Sequence, residues 1–315
     1  MTPDSPAPPT PAAPDFAPPR GWLVPIGGAL GDPAIFDRFL ALCGGAGARV
    51  AVIPVASRLA RTGDEYAEAF RRHGAGAAVV LDFRSRVDGE HADAQRELGR
   101  ADGVFFTGGD QVRLAEVLGY TASARLLRRR FAEEALPIAG TSAGASFLSE
   151  RMIARGWSGN RPRAGMVSMA TGLGVAPGLI IDQHFRERRR EGRLRSAVAL
   201  APDCVGVGVD ENTAAFIAPD GTMDVVGAGA VTVVDADGAR PAAPGQAERR
   251  TTRERRGLVR HAATADRRAP SAHGIHHVHP ARPAEPAVDP GTVRVRLVEA
   301  GHSLPLHPPA VASAA

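Results

Sequence analysis

Ser142 lies in a pattern that is typical of a serine able to act as a nucleophile. The segment 137–147 reads Leu-Pro-Ile-Ala-Gly-Thr-Ser-Ala-Gly-Ala-Ser, so Gly140 and Gly144 stand two residues before and after Ser142. A serine on a sharp strand-to-helix turn needs very small residues at both positions, because a larger side chain would collide across the turn. A glycine-rich connection with no catalytic role fits the same pattern. Other residues must therefore show whether Ser142 is a nucleophile.

His184 is the best placed base for such a serine. A serine hydroxyl attacks a carbonyl carbon only when a base removes its proton, and that base is usually histidine. Of ten histidines, only His184 directly follows a segment that reads as a buried strand, Leu179 to Asp182. We therefore expect both His184 and Ser142 to lie at the carboxyl ends of strands. A structural histidine that caps the next helix is the alternative from position alone.

A carboxylate should complete the catalytic group of Ser142 and His184 by holding the imidazole in the correct tautomer. The candidates by position are Asp182, Glu187, Asp210 and Glu211. Glu211 follows a predicted strand at 205–209, whereas Asp182 shares a strand end with His184 and could instead face the substrate. The order serine, histidine, acid differs from the order serine, acid, histidine of α/β-hydrolases, which argues against that superfamily.

Two backbone amides are candidates for an oxyanion hole, which needs two N–H groups directed at one point. We expect the amide of Ala143, directly after Ser142, and the amide of Gly109 in the Gly108-Gly109 turn. Glycine lets the backbone approach a ligand closely. Gln111 follows that turn and indicates a polar wall of the pocket.

Six arginines lie between residues 186 and 195, directly after His184. An ideal helix would place Arg186, Arg190 and Arg193 on one face. Because a guanidinium pairs with a carboxylate through two parallel hydrogen bonds, such a face beside a hydrolytic centre favours an acidic substrate. A solvated basic helix explains about half of these side chains.

Short apolar strands alternate with helices of about ten residues from residue 21 to about 237. This pattern predicts an α/β fold with a mostly parallel central sheet and helices on both faces. Functional sites in such sheets form at the carboxyl ends of the strands, so the glycine-rich strand exits near 105–111 and 140–145 should open at one edge. The predicted strands begin near residues 22, 50, 78, 103, 137, 179, 205, 214, 231 and 293. The predicted helices cover about 35–43, 64–73, 92–100, 112–118, 123–135 and the arginine-rich stretch to about 200.

Composition divides the chain into one domain and three irregular segments. Residues 1–20, rich in Pro and Ala, and residues 308–315 predict disordered tails. Residues 238–291 mix Pro, Ala, Arg and His without periodicity, which predicts a low-complexity insertion in a single catalytic α/β domain of 21–237 and 292–307. The histidines at 273–279 could bind a metal only adventitiously, so no metal site is predicted.

The sequence favours neither a nucleic-acid partner nor a membrane partner. The formal net charge of the 315 residues is +4 and every basic residue is arginine, which a GC-rich genome explains. The chain carries no nucleic-acid recognition motif and no run of membrane-spanning length, so we expect neither partner. Cys43 and Cys204 stand in no metal or redox spacing, which indicates reduced thiols and a cytoplasmic protein.

Three stretches together resemble the cyanophycinase family, serine peptidases related to aspartyl dipeptidase E. They are Phe-Phe-Thr-Gly-Gly-Asp-Gln at 105–111, Gly-Thr-Ser-Ala-Gly-Ala at 140–145 and Asp-Gln-His-Phe-x-x-Arg-x-Arg-x-x-Arg-Leu at 182–194. The third motif is the most specific. The resemblance covers about residues 21–237 and implies a fold like that of class I glutamine amidotransferases, a flavodoxin-like sandwich.

The resemblance implies cofactor-free hydrolysis of cyanophycin, a polyaspartate with arginine on each β-carboxyl, to β-aspartyl-arginine dipeptides by a homodimer. It implies Ser142 as nucleophile, His184 as base and Glu211 as the orienting acid. The implied substrate pocket is lined by Gln111, Asp182, Gln183, Arg188, Arg190 and Arg193. An anionic backbone explains the arginines, and a substrate guanidinium explains Asp182. Because this set includes Arg188, which an ideal helix turns away from Arg190, the helix is expected to begin after Arg188.

Two other functions stay open from the sequence. An aspartyl dipeptidase of the dipeptidase E type would cleave short aspartyl peptides with the same residues. A catalytically inactive protein would use the arginines only to capture acidic peptides. A glutaminase is disfavoured, because that chemistry in this fold uses cysteine where this chain has Ser142.

Overall fold

The computed structural model describes residues 21–163, 165–237 and 288–306. The predicted tails 1–20 and 308–315 lie outside the described residues, as do most of the predicted insertion and the histidines at 273–279. The division into one domain with an insertion stays a prediction.

Helices and strands alternate through the first two thirds of the described chain, as the sequence predicts. The strands are β1 (Leu23–Ile26), β2 (Arg49–Ile53), β3 (Ala77–Val80), β4 (Gly103–Phe106), β5 (Ile138–Thr141), β6 (Arg151–Gly156), β7 (Val167–Thr171), β8 (Leu179–Gln183), β9 (Val205–Val209), β10 (Thr213–Ile217), β11 (Thr222–Gly227), β12 (Ala230–Asp235), β13 (Arg294–Glu299) and β14 (Ser303–Pro305). The helices are α1 (Pro33–Leu42), α2 (Thr62–Arg72), α3 (Ala92–Gly99), α4 (Gln111–Leu118), α5 (Ala122–Glu133), α6 (Ala143–Phe147) and α7 (Glu191–Leu200).

The main sheet has eight strands in the order β14-β11-β10-β1-β5-β4-β2-β3. The four neighbouring pairs from β1 to β3 are parallel, and the three pairs from β14 to β1 are antiparallel. Strands β1, β5, β4, β2 and β3 therefore end at one edge, where the exits of β4 and β5 meet. The predicted α/β class with a large central sheet flanked by helices is confirmed.

Apolar side chains cover both faces of the main sheet. Phe105 and Phe106 are adjacent in β4 and point to opposite faces, because side chains alternate along a strand. Phe105 packs edge-on against Phe70 on one face, and Phe106 packs edge-on against Phe147 on the other. All four side chains are almost completely buried. The two cores hold the carboxyl edge of the parallel strands in place.

Strands β8 and β9 do not belong to the main sheet. They form a second sheet with β12 and β13 in the order β13-β12-β9-β8, in which only β8 and β9 are parallel. The sequence predicts β8 and β9 as strands but not their separation from the central sheet. The antiparallel hairpin of β6 and β7 is a further element that the sequence analysis does not predict.

The predicted arginine-rich helix begins only at Glu191. Residues 185–189 form a turn, and Arg189 has a positive φ of 53°. The predicted helical face that joins Arg186, Arg190 and Arg193 is therefore wrong. The expectation that the helix begins after Arg188 is correct. Arg186 pairs with Asp210, whereas Arg190 and Arg193 both lie against Asp182.

Candidate active site

Three consecutive backbone carbonyls at the end of β1 hold the candidate site together. The carbonyl of Ile26 accepts a hydrogen bond from the backbone N–H of Ser142 at 2.9 Å. The carbonyl of Gly27 accepts from the N–H of His184, and that of Gly28 from the N–H of Asn212, both at 2.7 Å. Three segments that are distant in sequence thus meet at one strand end.

Ser142 occupies a backbone conformation that side-chain-bearing residues rarely adopt, with φ 53° and ψ −116°. The turn is possible because its flanking residues are glycines. A Cβ on Gly140 would lie 2.4 Å from the backbone of Gly144, and one on Gly144 would lie 2.4 Å from the carbonyl oxygen of Phe106. The spacing noted in the sequence therefore has a direct steric cause.

The side chains of Ser142, His184 and Glu211 form a chain of hydrogen bonds. Ser142 Oγ lies 2.8 Å from His184 Nε2, and His184 Nδ1 lies 2.5 Å from Glu211 Oε1. A carboxylate can only accept, so Nδ1 carries the imidazole proton and Nε2 is free to accept the proton of the serine hydroxyl. Of the four carboxylates that the sequence leaves open, Glu211 is the one that contacts His184.

Burial lowers the pKa of His184 below its ordinary value. Desolvation is the largest cause, and the positive charges of Arg188 and Arg190 act in the same direction. The hydrogen bond and the negative charge of Glu211 oppose this shift. The imidazole is therefore neutral at pH 7, the form in which Nε2 can accept a proton.

Gln183 lies beside the serine, and Arg190 contacts Gln183. Gln183 Oε1 lies 3.4 Å from Ser142 Oγ and accepts a hydrogen bond of 2.8 Å from Arg190 Nη1. Burial lowers the pKa of Arg190 to about 10, and the charge of Asp182 opposes the shift. Arg190 therefore stays positively charged at neutral pH, and its buried Nε has no hydrogen-bond partner among the described residues.

Asp182 lies behind the pocket wall. Its carboxylate has no exposed surface. Arg193 binds both carboxylate oxygens, with 2.6 Å from Nε to Oδ2, and Arg190 Nη1 lies 3.6 Å from Oδ1. Arg193 is itself 4 % exposed, so Asp182 and Arg193 form a buried ion pair beside Arg190. The substrate contacts predicted for Asp182 and Arg193 stay a prediction.

The other predicted pocket residues differ in exposure. Arg188 is exposed in the turn after His184, and its N–H donates to the His184 carbonyl at 3.0 Å. Gln111 is half-buried, and its amide nitrogen donates to the carbonyls of Ile153 and Ala154 in β6. These hydrogen bonds use the amide nitrogen, and within the described part of the chain no residue donates to the amide oxygen of Gln111. Arg188 and Gln111 are thus available to a ligand.

The glycine turn after β4 lies against the serine, with Gly108 nearer than Gly109. A Cβ on Gly108 would lie 3.7 Å from Ser142 Oγ, whereas one on Gly109 would lie 2.0 Å from the carbonyl oxygen of Ala56. The amide of Ala143 begins α6. The oxyanion-hole assignment of Ala143 and Gly109 stays a prediction.

Sequence reasoning does not predict how the two neighbours of Glu211 in the chain are held. Asn212 adopts a left-handed conformation with φ 49°, and its Oδ1 accepts from the N–H groups of Gly31 and Asp32 at 2.9 and 2.8 Å. Asp210, 1 % exposed, accepts from Ala230 N at 2.9 Å and pairs with Arg186. The available signal is the Asp-Glu-Asn-Thr sequence itself, since Asn tolerates left-handed turns.

Among the described residues, no group of three or more His, Cys, Asp or Glu side chains could hold a metal ion. No helix in the described part of the chain is long and apolar enough to cross a membrane.

Comparison with known proteins identifies the family. The profile of peptidase family S51 matches residues 27–225. This chain belongs to peptidase family S51. The cyanophycinase of Trichormus variabilis is 45% identical over 202 residues, which cover 64% of this chain and 68% of that protein. The cyanophycinase of Geminocystis herdmanii is 41% identical over 220 residues, which cover 69% of this chain and 81% of that protein.

One solved structure shares the fold of this chain. The crystal structure of a peptidase from an acI-B1 Actinobacterium aligns with a TM-score of 0.53 and 22% identity over 68% of this chain and 90% of that chain. At this identity the likeness shows the fold alone. The family and the cyanophycinase relatives make this S51 member a serine-type peptidase.

The Gly28→Ala substitution tests how His184 is held. An added Cβ would lie 2.3 Å from His184 Cε1, so we expect the imidazole to move and peptidase turnover to fall about 10²-fold. Gly44→Ala is the matched control, because Gly44 has a similar φ of 104° but open space around its Cβ position. Equal turnover in the two variants would contradict this account.

The charges around His184 predict opposite pKa shifts for two variants. Arg188→Gln removes a positive charge that disfavours the imidazolium, so the pKa of His184 should rise. Glu211→Gln removes the negative charge that favours the imidazolium, so the pKa of His184 should fall further. NMR titration of the His184 ring measures both, with Arg189→Gln in the same exposed turn as the control. A lower pKa in Arg188→Gln would refute the assigned cause.

Proposed function

We propose that this chain is a serine exopeptidase that hydrolyses cyanophycin to β-aspartyl-arginine dipeptides through an acyl-enzyme. The observation that carries the proposal is the hydrogen-bonded chain of Ser142, His184 and Glu211 beside the cationic side chain of Arg190. The 41% and 45% identical relatives named above are cyanophycinases, which supports the substrate.

Ser142 is the proposed nucleophile on a nucleophile elbow. Its Oγ attacks the scissile carbonyl carbon while its proton passes to His184 Nε2, 2.8 Å away. Glu211 stabilises the imidazolium that forms, because it accepts a hydrogen bond from Nδ1–H and carries the opposite charge. The positive φ of Ser142 projects the hydroxyl from the strand end and places α6 directly after it.

The tetrahedral intermediate carries a negative charge on the former carbonyl oxygen. The amide of Ala143 and an amide of the Gly108–Gly109 turn are the proposed donors to this oxygen, with Gly109 as the sequence-based choice. His184 then gives its proton to the leaving amine, and an ester to Ser142 remains. Water attacks this ester with His184 again as the base, which releases the acid product and restores the serine.

Four side chains are the proposed substrate contacts. Arg190 and Arg188 carry positive charges near His184, which suits the free carboxylates that the attached arginines of cyanophycin present. Gln183 and the amide oxygen of Gln111 supply neutral hydrogen-bonding groups. Asp182 and Arg193 are proposed as positioning residues, because their buried ion pair fixes the region from which Arg190 reaches the pocket.

The cytoplasmic location and the homodimer rest on the sequence and on the family resemblance. Both stay predictions about this chain.

The Ser142→Ala variant tests the proposed reaction. Without the hydroxyl no acyl-enzyme forms, so release of β-aspartyl-arginine from purified cyanophycin should fall at least about 10⁴-fold. Ser168→Ala, an exposed serine on β7, is the matched control and should keep wild-type turnover. Mass spectrometry of the products makes the measurement.

Wild-type release of dipeptide by Ser142→Ala would contradict the mechanism. Faster turnover of short α-aspartyl dipeptides than of cyanophycin by the wild type would replace the substrate with that of an aspartyl dipeptidase.

A further inference from the structure

Two cavities lie along the carboxyl edge of the main sheet, on one side of the candidate active site. The first, of about 530 Å³, begins at Gly108, whose α-carbon faces Ser142, and passes Asp110. The second, of about 550 Å³, lies over the ends of β2 and β3. Both are lined by Ser57, Arg58 and Leu59, so the two cavities adjoin at this loop. They lie on the β4 side of Ser142, whereas Gln183 and Arg190 lie at the end of β8.

The second cavity is lined by an arginine whose Nε has no hydrogen-bond partner among the described residues. Arg113 on α4 lines it, and its Nε is buried with no hydrogen bond to any described residue. A buried guanidinium donor without an acceptor is unfavourable unless a ligand supplies one. Because a guanidinium is always charged and presents a planar fork of donors, a carboxylate is the ligand that it fits best.

The remaining charges of the second cavity are mixed. Arg58 is exposed at the junction, Arg84 pairs with Asp82 at 3.1 Å, and Asp64 lies in the first turn of α2. The lining thus offers three arginines against two aspartates. Such a surface suits a ligand that carries both a carboxylate and a cation. Arg58 and Arg113, which are not paired with Asp82, would hold the carboxylate.

We propose that Arg113 and Arg58 bind the free carboxylate of a substrate repeat that flanks the repeat being cleaved. This inference rests on the proposed function, because each cyanophycin repeat attaches arginine through its α-amino group and leaves one carboxylate and one guanidinium free. The first cavity leads the polymer from Ser142 to the second, where Arg113 holds the flanking repeat. The protein then prefers long chains to the shortest cleavable substrate.

The Arg113→Gln variant tests this preference with purified cyanophycin and with a two-repeat substrate. We expect KM for cyanophycin to rise about tenfold with kcat unchanged, and both constants for the two-repeat substrate to stay at wild-type values. Arg58→Gln should act in the same direction. Arg129→Gln, an exposed arginine on α5 that lines neither cavity, is the matched control. An unchanged thermal midpoint excludes a folding defect.

An equal loss on both substrates, or no loss on cyanophycin, would overturn the inference. Calorimetry with the Ser142→Ala variant and a four-repeat oligomer measures binding without hydrolysis. It therefore tests the subsite separately from the proposed reaction. Binding that weakens about tenfold in Ser142→Ala/Arg113→Gln supports the subsite even if the wild type does not hydrolyse cyanophycin. Binding that does not change in the double variant overturns the subsite even if the wild type does hydrolyse it.

Discussion

The site depends on the hydrogen bonds that the carbonyls of Ile26, Gly27 and Gly28 accept at the end of β1. They fix the backbones of Ser142, His184 and Asn212 relative to one another, and thereby bring two sheets and two loops to one point. Glycine is required at 27 and 28, because Cβ atoms there would collide with the Asp210 carbonyl and the His184 ring. The side-chain geometry therefore follows from a backbone arrangement rather than from the side chains alone.

Much of the site could be predicted from the sequence, because strand ends are local features. An apolar run followed by glycines places Ser142 and Gly108 at one edge, and His184 is the histidine that follows a buried strand. The second sheet could not be predicted, because strand pairing depends on packing between distant residues rather than on local periodicity. The turn at 185–189 has helical spacing in sequence, yet tertiary contacts such as Arg186 with the buried Asp210 override that propensity.

The charges of the site explain how one base works among many arginines. Asp182 is fully buried and binds Arg193 and Arg190, so part of the positive charge near His184 is neutralised inside the protein. The remaining cations and the burial keep the imidazole neutral, while Glu211 limits how far its pKa falls. Sequence alone could not assign Asp182 to this role, because it does not reveal which cations lie near a buried carboxylate. Arg188 and Arg190, which are proposed to contact the substrate, therefore also lower the pKa of His184.

The most direct test of the central claim is covalent labelling of the nucleophile. A phosphonyl fluoride should react with Ser142 Oγ, form one phosphorus–oxygen bond and release fluoride, in a reaction that needs neutral His184. Peptide mass mapping alongside dipeptide release should show one label per chain, on Ser142, with activity lost in proportion to labelling. The account would be contradicted by complete inactivation with the label on another residue, or by full activity of a chain that is completely labelled at Ser142.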